Sequence, residues 1–149
     1  MKKRSITPRT RTALITLGAL LFLALLLFLG HIGTQTPVLS GPAAATQADR
    51  IQFLASCGWA ADPATEELQQ IRIPEVFSPV YQDYNELQRQ QGYDLDDYRG
   101  RDCLLYSYTV TNWPDDTQTV LADLYVYKNR IIGGDIHSTN LNGFMIGLK

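Results

Sequence analysis

The chain has 149 residues, with 13 basic and 15 acidic side chains and a formal charge of −2. That is room for one small folded domain once a long apolar stretch near the start is set aside. All 15 acids lie after residue 32, where the domain carries a clear negative excess, so nucleic acid and anionic lipid headgroups are excluded as expected partners.

Taken in order, residues 1–12 hold Lys2, Lys3, Arg4, Arg9 and Arg11 and no acid, a short basic tail. Residues 13–32, ALITLGALLFLALLLFLGHI, carry no charge. At about 1.5 Å per residue they span roughly 30 Å as a helix, the thickness of a bilayer core. The expectation is a single transmembrane helix with the basic tail in the cytoplasm and the rest outside the cell membrane. A cleaved signal peptide is the competing reading. Its apolar region is normally shorter and ends beside a small-residue site, whereas here Ala43, Ala44 and Ala45 stand well beyond the apolar run.

Residues 33–48, with Pro37, Gly41 and Pro42, read as a flexible spacer, and residues 49–149 as the extracytoplasmic domain. Thr46 and Asp49 fit a capping box, predicting a short helix to about Cys57 that Gly58 terminates. The alternation through residues 67–73 predicts a strand ending at Pro74. Ser78 followed by Pro79 opens a second helix, to residue 91, with Val80, Tyr84, Leu87 and Gln91 as its buried stripe and Gly92 as its stop. The period then changes to two. Strands are predicted over residues 103–111, 118–127 and 131–138, the last two joined by a tight turn at Lys128 and Asn129. Residues 141–148, apolar and glycine-rich, pack back as a tail or a short edge strand. The sum is an α+β fold of order α-β-α-β-β-β, with two helices covering one face of a roughly four-stranded antiparallel sheet, preceded by the transmembrane helix.

Several segments occur together in one order: Tyr84-Asn85-Glu86-Leu87-Gln88, Gln91-Gly92-Tyr93-Asp94-Leu95, Tyr98-Arg99-Gly100, Gly133-Gly134-Asp135 and Asn142-Gly143-Phe144-Met145. Over residues 49–148 the chain resembles a family of small, single-anchor proteins of Gram-positive bacteria, domain of unknown function 4830. The resemblance implies an extracytoplasmic location and carries over no catalytic or binding residue. Members of that family often have cysteine at the place of His137 and histidine at the place of Ile146, so this chain departs from them at both.

Asp135 and His137 are the candidate polar pair. Two residues apart on a strand they share a face, where a carboxylate and an imidazole can orient one another or bind a metal together, but two ligands do not complete a site. Tyr106, Tyr108, Tyr125 and Tyr127 fall on adjacent strands and form a candidate binding surface for a glycan or a partner, or pack as ordinary sheet residues. Cys57 and Cys103 could form a disulfide outside the cell, worth on the order of 4 kcal/mol. Their apolar neighbours favour two buried thiols. Asp94, Asp96 and Asp97 fail the calcium-loop pattern, which would put a chelating glutamate where Leu105 stands, and read as caps. Gly133-Gly134 lacks the spacing of a phosphate loop and reads as a bulge or a close backbone approach. No motif requires a cofactor or a metal. The expectation is a membrane-tethered module that binds an envelope component or a membrane protein rather than an enzyme, with a metal-dependent or acid/base enzyme at Asp135 and His137 as the alternative.

Overall fold

The computed structural model describes residues 41–149. The basic tail, the apolar run and the spacer as far as residue 40 lie outside the described residues. Among the described residues no helix is long and apolar enough to cross a membrane.

The first helix, α1 (Gln47–Ser56), opens on the expected capping box. The Asp49 N–H donates to Thr46 Oγ1 at 3.1 Å, and the Thr46 N–H donates to Asp49 Oδ2 at 2.9 Å. It closes at Gly58, whose φ of +94° lets the Gly58 N–H reach Ala55 O and the Trp59 N–H reach Leu54 O, each at 3.0 Å. Strand β1 (Glu67–Arg72) follows, then α2 (Pro79–Gln90), capped by Ser78 and stopped by Gly92. Three strands return in succession, β2 (Asp102–Thr109), β3 (Val120–Tyr127) and β4 (Arg130–Ser138), and a two-residue strand β5 (Met145–Ile146) ends the sheet. The order is β1-β2-β3-β4-β5 with every neighbour antiparallel. The α+β class and the element order are as the sequence indicates, with a fifth strand at the edge. Lys128 and Asn129, both at positive φ, make the tight β3–β4 turn.

The helices do not share a face. Phe53 and Leu54 of α1 pack with Tyr108, Val110, Val120, Ala122, Leu124, Val126 and Ile136. On the opposite side Tyr81 and Tyr84 of α2 join Cys103, Ile132, Tyr125 and Tyr127. The one-face expectation rests on a single apolar parity, Val120 to Val126, while the other parity is apolar enough to support a second layer. β4 shows the consequence: residues 131–136 are buried without alternation, as in a strand covered on both faces.

The spacer reading is also corrected at its C-terminal end. Pro42 O accepts from the Ile131 N–H, Ala44 N–H donates to Asn129 O, both at 3.0 Å, and Ala44 is buried. Gly41 is required there, since a Cβ would lie 2.2 Å from Ile131 O. The packed fold therefore begins before residue 49. α2 is rotated from its expected stripe as well: Val80 is 79% exposed, while Asn85 and Gln88 are fully buried. Polar side chains take these places because they serve as backbone partners. Asn85 Oδ1 accepts from the Leu95 N–H, and Gln88 Oε1 accepts from the Gly134 N–H, each at 2.8 Å.

Candidate functional site

The register of the sheet sets one polar row across its α2 side. Glu67 stands opposite Ser107, Ser107 opposite Asp123, and Asp123 opposite Asp135, so the four side chains share a face. His137 follows two residues on. Gly133 and Gly134 adjoin a register shift at Tyr125 and Val126 and admit Gln88, a Cβ on Gly133 falling 2.9 Å from Gln88 Oε1. This confirms the bulge and close approach and fixes α2 against the row.

Asp135 is 2% exposed and accepts two bonds. Tyr84 Oη donates to its Oδ2 at 2.6 Å, and His137 Nδ1 lies 2.9 Å from its Oδ1. The bond to Asp135 holds the His137 imidazole above its ordinary value despite burial, and the charge of Asp123 adds to the effect. Asp123 accepts from Ser107 Oγ at 2.5 Å. Burial pushes its carboxyl up, and the negative charges of Asp135 and Glu67 push the same way. Burial likewise raises the Tyr84 and Tyr125 phenols, so both stay protonated donors at neutral pH.

A groove of about 560 Å³ opens between α2 and the sheet at this row. Val80, Leu87 and Met145 supply its apolar wall, and Tyr81, Tyr84 and Tyr125 its rings, successive centroids 5.9 Å apart. Asp123 and Asp135 line it from the strands and Asp83 from the helix, with no Lys or Arg among the lining residues. Asp123, Asp135 and His137 each offer a ligand atom, all within 4.8 Å of one another, so a metal-ligating set is geometrically available.

The sequence pair Asp135 and His137 is thus brought together, with Asp135 buried rather than facing solvent. Sequence spacing does not bring Asp123 or Tyr84 to this pair: the signal for Asp123 is an acid at an otherwise apolar strand position, and the helical stripe assigns Tyr84 to the core. The four tyrosines do not form one surface. Tyr106 and Tyr108 lie on the α1 side, where both engage Arg50: its Cζ sits 3.6 Å from the Tyr106 centroid and its Nε donates to Tyr108 Oη at 2.8 Å. Tyr125 and Tyr127 lie on the α2 side, and only Tyr125 lines the groove. The parity of the β2–β3 register, which places Tyr106 opposite Leu124, divides them.

Cys57 and Cys103 are both free thiols. They pack on opposite sides of the sheet, so the disulfide alternative is corrected in favour of two separate thiols. Burial raises both, Cys103 to about 11, so neither is a ready nucleophile. Of the aspartates after α2, Asp94 acts as a cap, its Oδ1 accepting from the Asp96 N–H at 3.0 Å and from Asn85 Nδ2 at 2.8 Å, whereas Asp96 pairs with Arg89 and Arg99.

Fold and site together define a small α+β domain with a carboxylate-floored groove between one helix and the sheet. The chain belongs to the family described as "Domain of unknown function (DUF4830)", whose model matches residues 53–136. That span takes in Tyr84, Asp123 and Asp135 and stops one residue short of His137. No curated protein and no solved structure matches the chain.

Proposed function

We propose that this protein is a membrane-tethered, extracytoplasmic binding module whose ligand enters the groove between α2 and the sheet. The groove is the observation that carries the reading: apolar walls and a few convergent polar groups are what a small-molecule site needs. The apolar run at residues 13–32 and the basic tail before it support the tether and its orientation. Native mass spectrometry of the full chain in detergent micelles, after incubation with a small-molecule extract of envelope material, tests the reading. A small molecule should ride with the protein and be lost in Leu87→Trp, which fills the groove. Identical spectra with and without extract, or binding that Leu87→Trp leaves intact, contradict it.

The cluster of Asp123, Asp135 and His137 favours a second reading, a metal-dependent or acid/base enzyme centred on Asp135 and His137. A buried carboxylate holding Nδ1 leaves Nε2 as the working nitrogen of such a pair. The same spectra test it, since stoichiometric retention of a divalent ion that Asp123→Asn abolishes would support it over simple binding.

A further inference from the structure

We propose that the groove takes a small organic cation, an ammonium group carried on an apolar or aromatic body. The proposal rests on the reading of this groove as a ligand site and names the chemical class of its occupant. The apolar part of the argument comes from α2. Val80, Tyr84 and Leu87 form a helical stripe of the kind that normally seats a helix on its core, yet here they wall an open groove. Val80 is 79% exposed and Met145, facing it from β5, is 50% exposed. The fold leaves this surface uncovered by any other described residue.

The charged part comes from the sheet. Like charges directly opposite one another on neighbouring strands destabilise a sheet, and here Asp123 stands against Asp135 with Glu67 beyond Ser107. Among the described residues neither Asp123 nor Asp83 forms an ion pair, and no Lys or Arg lines the groove. A cation relieves that repulsion. The rings of Tyr81, Tyr84 and Tyr125 add faces that attract an ammonium group and stack on an apolar body.

The other ligand classes fit less of the site. An anion would meet the carboxylates, and a neutral molecule would bring no counter-charge to Asp123, whose partner is the neutral Ser107 hydroxyl, or to Asp83. A bare divalent ion would use Asp123, Asp135 and His137 but none of the apolar wall. It would also compete with Tyr84 and His137, which already occupy both oxygens of Asp135.

Three probes of one shape separate these cases: 2-phenylethylammonium, 2-phenylethanol and phenylacetate, titrated calorimetrically into the full chain in detergent micelles at neutral pH. The cation should bind at least about tenfold more tightly than the alcohol, with phenylacetate weakest. Asp123→Asn should lower the cation's affinity about tenfold and leave the alcohol's unchanged, with Asp83→Asn giving a smaller loss in the same direction. Equal affinities for cation and alcohol, or tighter binding of phenylacetate, overturn the cation assignment while leaving the groove as a ligand site. Binding of Zn²⁺ that Asp123→Asn abolishes, without binding of the ammonium probe, overturns it in favour of a metal. Failure of all three organic probes and of Zn²⁺ overturns both the assignment and the binding reading.

Discussion

At the scale of single residues, Asp135 is the group on which the site turns, because it is buried among donors that each hold it differently. Its bond to His137 raises the imidazole above the ordinary value of 6.5. The native protein therefore holds that proton more tightly than the unfolded chain. The resulting stability is complete below about pH 6.5 and is lost as the pH rises through the raised native value. Urea unfolding at a series of pH values should show this fall, and His137→Asn should flatten it. Arg50 poses the opposite case on the other face. It is 4% exposed, with Nη2 2.8 Å from Glu66 Oε2, Nη1 donating to Ala44 O and Nε to Tyr108. Arg50→Ala leaves the Glu66 carboxylate with Tyr108 Oη as its donor and no counter-charge, strips Ala44 O of its guanidinium donor, and should cost about 3 kcal/mol by denaturant titration. Residue types alone pointed to the Asp135–His137 pair, since strand parity dictates a shared face. Asp123 and Tyr84 were not legible, because their partnership with Asp135 depends on β3–β4 register and on how α2 rolls against the sheet.

At the scale of elements, the ends of the helices were written locally and the roll of α2 was not. Thr46, Gly58, Ser78 and Gly92 satisfy terminal N–H and C=O groups through bonds within a few residues, so their roles can be read directly. Which face α2 buries depends on Gln88 finding the Gly134 N–H on a distant strand, and hydrophobic spacing carries no trace of that bond. The start of the packed fold is hidden in the sequence for the same reason, since Pro42 and Ala44 bond to the β3–β4 hairpin rather than to near neighbours. Gly134 makes the sheet's part of this packing testable. A Cβ there would fall 2.4 Å from the Asp123 carbonyl oxygen, a backbone atom with little freedom to move. Gly134→Ala should lose about 1–3 kcal/mol of stability in thermal or urea unfolding, as overpacking does in a tight interior. An unchanged midpoint would mean that β3 and β4 can separate at this point without cost.

For the whole molecule, the sheet is a partition with a separate core on each side, and that division decides the fate of the cysteines. Cys57 belongs to the α1 side and Cys103 to the α2 side. Protein purified without reductant should yield two thiols per chain to a thiol reagent after unfolding, and in the native state the half-buried Cys57 should react ahead of the buried Cys103. The class of fold was legible because the change from a period of 3.6 to a period of two survives in sequence. The distribution of helices between faces was not, because both parities of the strands are apolar enough to be covered. The open groove is what remains on the α2 side once that layer is packed, and its occupancy is the centre of the account. The chain has only two methionines, Met1 and Met145, and Met145 lies on the groove wall. Methyl-labelled methionine in the chain in micelles therefore gives a groove reporter at Met145. Titration with 2-phenylethylammonium should move the Met145 methyl resonance saturably and have no such effect in Leu87→Trp. A Met145 signal that stays fixed throughout the titration, or that moves equally in Leu87→Trp, would contradict the account.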